Sequence, residues 1–260
     1  MLKEQLKVAL VQTNLYDLKI GANLAMLEEL FWEIEDDTDL ILLPEMFTTG
    51  FHQEAAQLAE PMNLTTSKWM LQMAKLKNAV IMGSFPVKEK EGVFNRLLVM
   101  NPDGSYKYYD KRHLFRMADE DKTFSEGKEK LIVEVEGWKI CPLICYDLRF
   151  PVWSRNCGNE YDILVYLANW PAPRVEAWDT LLKARAIENL SYCIGVNRTG
   201  QDMNMVAYNG HSVVVSPKGN ALNELYDKEQ IISVSLHRKD LDGLREKFPA
   251  HLDADKFTIL

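Results

Sequence analysis

The chain has 260 residues, of which 47% are apolar and 26% are charged, and its formal net charge is -8. That apolar share is enough for a substantial core and argues against disorder, and the length predicts one large domain or two small ones. The acidic balance and the lack of a long lysine/arginine block argue against a nucleic-acid partner. No stretch approaches the ~18 consecutive apolar residues that a membrane span needs.

The N-terminus and the cysteines indicate the compartment. Residues 1–7 lead straight into a predicted strand and lack the apolar run and small-residue cleavage site of a signal peptide. Four cysteines in a chain of this length do not suggest a disulfide framework, and they fit free thiols in a reducing cytosol. We therefore expect a cytoplasmic protein.

The first half of the chain alternates predicted strands with predicted helices. Short apolar runs indicate strands, and apolar residues three or four positions apart indicate helices. The predicted strands are residues 7–13, 39–43, 79–85, 94–101 and 105–109, and the predicted helices are residues 23–34 and 67–77. A hairpin turn is expected at residues 102–104 (PDG), followed by a charged loop from 111 to about 128.

The second half repeats this rhythm without repeating the sequence. The predicted strands are residues 130–135, 138–145, 162–167, 192–197, 211–216, 221–225 and 229–236, and the predicted helices are residues 174–190 and 238–247. The tail is not obviously core, and it either lies on the surface or crosses to a partner subunit. Strands that alternate with helices, mixed with hairpins, predict a layered α/β domain with two helical faces over sheet.

Three reactive side chains lie at the ends of predicted strands. Glu45 follows residues 39–43, Lys111 follows residues 106–110, and Cys145 ends residues 138–145. Taken singly, Glu45 fits a helix cap, Lys111 a surface cation, and Cys145 a core thiol. Strand ends are where layered α/β folds bind ligands, so a base, a cation and a thiol at three such ends predict a catalytic site.

Cys145 lies at a predicted strand-to-helix corner. Such a corner holds a thiol rigidly while it still faces a cleft. It also leaves backbone N–H groups without partners, and these can bind an oxyanion.

Three segments resemble motifs of the nitrilase superfamily of carbon–nitrogen hydrolases: residues 42–47 (LLPEMF), 109–115 (YDKRHLF) and 145–151 (CYDLRFP). They occur in the family's order, and the resemblance covers essentially the whole chain. It implies a single domain over residues 1–260 that folds as a four-layer αββα sandwich. It also implies a catalytic triad in which Glu45 is the base, Lys111 the cation and Cys145 the nucleophile, with no metal and no cofactor.

The resemblance implies two further site groups. The backbone N–H of Tyr146 would help Lys111 to hold the oxyanion. A second carboxylate is expected in the loop after the lysine motif, where Asp119, Glu120 and Asp121 are the candidates. We favour Glu120, which would orient Lys111 or the substrate amide; the alternative is a solvated acidic loop.

The sequences of three segments indicate the class of substrate. Residues 145–150 look like the omega-amidase branch, and residues 169–174 (NWPAPR) and 184–189 (ARAIEN) are similar to its bacterial members. That branch hydrolyses the distal amide of α-keto acid amides, whose carboxylate needs a cation. Arg149 is the best candidate by position, because a guanidinium suits bidentate carboxylate binding, although a structural ion pair is the alternative. Trp170 and Phe51 are candidate pocket walls, or else core aromatics.

Two classes of function therefore stay open. The first is a thiol amidohydrolase acting on a small amide with a carboxylate, of the type 2-oxoglutaramate or 2-oxosuccinamate, with another amidase of the superfamily, an N-carbamoyl hydrolase or a true nitrilase as the alternative. The second is a non-catalytic interaction subunit on the same fold. By resemblance we expect a homodimer, with residues 174–190 as a contact helix and the tail, about 248–260, possibly at the interface.

Overall fold

The structure is a computed structural model that describes residues 2–259. Its α-helices are α1 (Ile20–Phe31), α2 (Thr65–Lys77), α3 (Pro151–Ser154), α4 (Val175–Asn189) and α5 (Arg238–Lys247). Its strands are β1 (Gln5–Gln12), β2 (Leu40–Leu42), β3 (Val80–Lys88), β4 (Val93–Met100), β5 (Tyr106–Asp110), β6 (Val133–Val135), β7 (Trp138–Ile144), β8 (Ile163–Ala168), β9 (Tyr192–Asn197), β10 (Thr199–Gln201), β11 (Ala207–Asn209), β12 (Val213–Val215) and β13 (Gln230–His237). Within these residues, none of the helices has the length and apolar character needed to cross a membrane.

Two sheets form the centre of the molecule. One has six strands in the order β13-β1-β2-β3-β4-β5, and the other has five in the order β12-β9-β8-β7-β6. In the first, β1, β2 and β3 are parallel. Strand β4 is antiparallel to both β3 and β5, so β5 runs in the same direction as β3. In the second, β7, β8 and β9 are parallel.

The side chains of β1 explain the layering. Leu6, Val8 and Leu10 point into a core shared with the second sheet, whereas Ala9 and Val11 pack in a separate core with α1 and α2. A strand presents alternate residues to opposite faces, so the first sheet is buried on both sides. On the far side of the second sheet, α4 contributes its own buried residues to the shared core. The layers are therefore helix, sheet, sheet, helix, which confirms the predicted αββα sandwich.

The predicted elements are found with shifted ends. The helix predicted at 23–34 is Ile20–Phe31, and Ile34 is buried in the turn beyond it. The strand predicted at 79–85 continues to Lys88 and includes Pro86. The strand predicted at 221–225 is wrong, since that segment makes only an isolated bridge between Val215 and Ala221. The short hairpin of β10 and β11 was not predicted.

Candidate active site

Cys145 occupies a strained corner at the carboxyl end of β7. It begins a 3-10 helix, Cys145–Arg149, and its φ of 42° lies in the left-handed region. A non-glycine residue there costs of order 1–3 kcal/mol unless its surroundings impose the conformation. Here Asp147 imposes it, because its carboxylate accepts a hydrogen bond from the Ile144 N–H at 3.0 Å. The thiol is thereby held at the end of the strand, in a residue that is partly accessible as a whole.

The same Asp147 joins this corner to the loop that carries Lys111. Its carboxylate also accepts hydrogen bonds from the Tyr109 hydroxyl at 2.7 Å, from the His113 N–H at 3.0 Å and from the His113 ring at 2.8 Å. His113 stacks on Phe150, with ring centroids 3.8 Å apart. The lysine and cysteine motifs are therefore fixed to one another by a carboxylate that is fully buried.

Lys111 lies at the centre of a buried charge cluster. Its Nζ donates to Oε1 of Glu45 at 2.8 Å and to both oxygens of Glu120 at 3.0 and 2.9 Å. The side chains of all three residues are at most 1% exposed. Buried charges are tolerated only when they are paired and hydrogen-bonded, as they are here. Glu120 thus contacts Lys111, and its Oε2 also accepts the Phe115 N–H at 2.6 Å.

Glu45 is held by hydrogen bonds on both of its carboxylate oxygens. Oε1 accepts from Lys111 and from the Asn95 side chain at 2.9 Å, and Oε2 accepts the Asn169 N–H at 2.8 Å. The Asn169 amide donates in turn to the Glu45 carbonyl. The carboxylate has a fixed orientation next to Asn169, whose backbone carbonyl accepts a hydrogen bond from the Cys145 thiol at 3.9 Å.

The electrostatics assign a resting protonation state to the cluster. Burial raises the pKa of the Cys145 thiol well above its usual value, and the negative charge of Glu45 raises it further against the opposing effect of Lys111. Burial alone would lower the pKa of Lys111, but Glu120 and Glu45 outweigh it and hold that pKa above its ordinary value. Burial raises the pKa of Glu120 although Lys111 opposes the shift. These shifts favour a neutral thiol next to a charged ammonium in the resting site.

Lys111, Glu120, Cys145 and Asn169 line one cavity of about 420 Å³. Its walls carry every substrate-side residue that the sequence singled out, namely Phe51, Tyr146, Arg149 and Trp170. The Phe51 ring lies 4.8 Å from Nζ of Lys111, and the Arg149 guanidinium lies 4.9 Å from the centre of the Trp170 ring. Tyr146 belongs to the first turn of its 3-10 helix, where backbone N–H groups lack helical acceptors. In residues 2–259 no group of three or more His, Cys, Asp and Glu side chains is arranged to hold a metal ion.

Two residues of the cluster escaped the sequence analysis. Asn169 directly follows β8, so the strand-end rule that selected Glu45 and Cys145 could have found it. Asn95 lies inside β4, and its Nδ2 contacts both Glu45 at 2.9 Å and Glu120 at 3.5 Å. Its signal was an asparagine, a residue rarely favoured in strands, within an apolar β-strand.

An αββα sandwich with a carboxylate, an ammonium and a thiol at neighbouring strand ends has the architecture of a carbon–nitrogen hydrolase. The family model described as "Carbon-nitrogen hydrolase" matches residues 7–246, and the chain belongs to this family. The family predicted from the three motifs is thereby confirmed.

Individual relatives agree with this family. The chain is 46% identical over 258 residues to "Omega-amidase YafV" of Escherichia coli strain K12, covering 98% of each protein. It is 32% identical to "2-oxoglutaramate amidase" of Bacillus subtilis strain 168, covering 93% of this chain and 95% of the relative. Among solved structures, it resembles a CN-hydrolase superfamily protein of Xanthomonas campestris that has an arsenic adduct in its active site. That match has a TM-score of 0.97 and 40% identity, and it covers 99% of this chain and 100% of the other.

Proposed function

We propose that this chain is an omega-amidase, which releases ammonia from small carboxylated amides such as 2-oxoglutaramate or 2-oxosuccinamate. The observation that carries the proposal is that Lys111 and Cys145 line one cavity, with Nζ of Lys111 2.8 Å from Oε1 of the buried Glu45. The names of the relatives from Escherichia coli and Bacillus subtilis support the substrate class.

Acylation begins at the thiol. Sγ of Cys145 attacks the amide carbonyl carbon while Glu45 takes the thiol proton, because a neutral thiol is a poor nucleophile. Because the proton moves to Glu45 while the sulfur attacks, a thiol with a raised pKa can still react at neutral pH. The carbonyl oxygen becomes an oxyanion that the Lys111 ammonium and the Tyr146 N–H stabilise. Losing one such donor typically costs about 2.7–4 kcal/mol of barrier.

The intermediate then collapses, and the C–N bond breaks. Glu45 returns its proton to the departing nitrogen, which leaves as ammonia, and a thioester remains on Cys145. Such acid–base help is typically worth ~10²–10⁴ in rate.

Deacylation uses the same groups. Glu45 takes a proton from water, the hydroxide attacks the thioester, and collapse of the second tetrahedral intermediate breaks the C–S bond. The thiolate recovers a proton from Glu45, and the acid leaves. Glu120 orients Lys111 through both steps by two contacts at 3.0 and 2.9 Å.

The substrate carboxylate binds at Arg149 in this proposal, with Trp170 and Phe51 as walls. Arg149 has no carboxylate partner within 4.0 Å among residues 2–259, so the structural ion pair considered as an alternative has no support there. Its planar guanidinium is supported by the Trp170 ring and keeps its N–H groups for a ligand.

The further proposals concern the state of the protein. We propose that residues 1–260 work as one catalytic domain and that the protein is a cytoplasmic homodimer, with the tail at about 248–260 and α4 as candidate contacts. Four free thiols, two of them fully buried, support a reducing compartment. Sedimentation that gives a monomer mass would refute the dimer.

A substrate panel tests the function. Ammonia release is measured from 2-oxoglutaramate, glutamine, a nitrile and an N-carbamoyl amino acid, with Cys145→Ala as the control. The proposal requires turnover of the keto-acid amide and its loss in Cys145→Ala. Turnover of only another substrate would favour the alternative amidase, carbamoyl hydrolase or nitrilase. Inactivity on all four would favour the non-catalytic subunit.

A further inference from the structure

Two arginines line the cavity of the candidate active site. Arg149 ends the 3-10 helix that begins at Cys145, and Arg174 directly precedes α4. Both are partly buried, and both contribute to the walls that enclose Cys145. Two separate elements therefore bring a cation to the same small space.

These arginines differ from the others that the structure describes in having no oxygen partner. Six arginines pair with carboxylates: Arg96, Arg116, Arg185, Arg198, Arg238 and Arg245. Arg112 and Arg155 donate to backbone carbonyls. Within residues 2–259, Arg149 makes no side-chain hydrogen bond, and Arg174 donates only to the Met117 sulfur at 3.3 Å. A guanidinium has five N–H donors, so both have unused capacity for an anion.

Aromatic rings support both guanidinium groups. Arg149 lies over Trp170 at 4.9 Å, and Arg174 lies over Phe115 at 5.4 Å, each measured from Cζ to the ring centroid. The Trp170 indole N–H donates to the Arg174 carbonyl at 2.8 Å, which links the ring under Arg149 to the backbone of Arg174. Stacking on an aromatic face fixes the plane of a guanidinium and leaves its N–H edge available.

Nearly all carboxylates of the cavity are already engaged. Glu120 binds Lys111, and Asp202 accepts hydrogen bonds from Tyr208 at 3.0 Å and from two backbone N–H groups. Glu54 is the remaining acid of the lining, and it is exposed to solvent. The cavity beyond the Lys111 cluster therefore favours an anion over a cation.

We propose that Arg174 is a second anion-binding residue, which together with Arg149 binds an α-keto carboxylate and disfavours amides that carry an α-ammonium. This inference rests on the proposed function. An α-keto carboxylate presents three oxygens in or near one plane, enough for one guanidinium on the carboxylate and another on the keto oxygen. In glutamine an ammonium replaces the keto oxygen, and it would lie beside the Arg174 cation, while the carboxylates of Glu120 and Asp202 already have partners.

Binding of the product tests this directly. The dissociation constant of 2-oxoglutarate is measured by calorimetry on Cys145→Ala and on Cys145→Ala combined with Arg174→Gln. Loss of a charged hydrogen-bond donor predicts about tenfold to a hundredfold weaker binding. Arg116→Gln in the same background is the matched control, because Arg116 is exposed and pairs with Asp121 outside the cavity. A dissociation constant within twofold of the parent in Arg174→Gln would overturn the inference.

Kinetics supply the selectivity test and separate it from the proposed function. Arg174→Gln should lower kcat/KM for 2-oxoglutaramate about tenfold to a hundredfold, mainly through KM, and leave kcat/KM for the neutral amide pentanamide unchanged. The preference for 2-oxoglutaramate over glutamine should fall with it. Arg174→Lys keeps the positive charge but lacks the planar set of N–H donors. Its kcat/KM for 2-oxoglutaramate should lie between those of the wild type and Arg174→Gln. An equal loss on pentanamide in both variants would overturn the inference. If the wild type hydrolyses none of these amides, the proposed function fails, and the 2-oxoglutarate measurement still decides the role of Arg174.

Discussion

Replacing Glu120 by glutamine separates catalysis from stability. The carboxylate makes contacts of 3.0 and 2.9 Å to Nζ of Lys111 and accepts the Phe115 N–H at 2.6 Å. A neutral amide keeps the shape but loses the charge that orients Lys111. Because Lys111 is the proposed oxyanion donor, we expect kcat to fall by about 10²–10³, which is the usual effect of losing one such donor.

The stability of the same variant should change little. Burial raises the pKa of Glu120, so ionisation of this carboxyl destabilises the fold as the pH rises above the usual glutamate value. Glutamine removes that cost, while the lost Phe115 contact costs about 1–3 kcal/mol. Lys111 keeps Glu45 as its counter-ion. The net change in unfolding free energy should stay within about 2 kcal/mol, or roughly 8 °C in Tm at most.

The assay pairs steady-state ammonia release with thermal unfolding followed by circular dichroism. Asp121→Asn is the matched control, since Asp121 lies next in the chain and pairs with the exposed Arg116 at 3.1 Å. It should leave both readouts unchanged. A glutamine variant that keeps more than a tenth of wild-type kcat, or one that loses activity only in proportion to a large fall in Tm, would refute the reasoning.

Three more predictions follow from the site. Asp147→Asn should lower kcat with little change in KM and destabilise the fold by more than about 2 kcal/mol, because the buried carboxylate accepts four hydrogen bonds. Steady-state kinetics and chemical denaturation measure the two effects. An unchanged kcat would contradict the prediction. The kcat/KM of the wild type should fall with decreasing pH through a value above the usual 4.5 of glutamate, because the pKa of Glu120 is raised and its protonated form cannot hold Lys111 with both oxygens. A pH profile still flat at 4.5, with intact circular dichroism, would be inconsistent with this. Iodoacetamide, a small primary amide, should alkylate Cys145 faster than the exposed Cys157, and Glu45→Gln should abolish the difference. Peptide mass spectrometry measures alkylation at both cysteines. Equal rates in the wild type would count against activation of the Cys145 thiol by Glu45.

The side chains of the candidate active site were predictable because each follows a strand. Glu45 and Cys145 follow apolar runs, Lys111 follows the strand Tyr106–Asp110, and parallel strands place their carboxyl ends at one edge. The hydrogen-bond partners of these side chains could not be predicted from the sequence. The contact between Asn95 and Glu45 joins residues far apart in the chain, and it depends on how the strands of the first sheet are aligned.

Pro86 shows why strand ends were harder to predict. Proline has no N–H, so a strand pattern normally ends before it. However, β2 pairs with β3 only at Val80–Met82, so beyond that point β3 lacks a ladder on one side and tolerates the proline. Residues 221–225 show the opposite case, an apolar segment with a strand pattern that forms only one bridge.

The acyl-enzyme on Cys145 is the most direct test of this account. Enzyme turning over 2-oxoglutaramate is quenched in acid, digested and analysed by mass spectrometry, in parallel with ammonia release, for the wild type and Cys145→Ala. The account predicts ammonia release together with a Cys145 peptide heavier by the substrate minus ammonia, and neither signal in Cys145→Ala. Undiminished ammonia release from Cys145→Ala would contradict it.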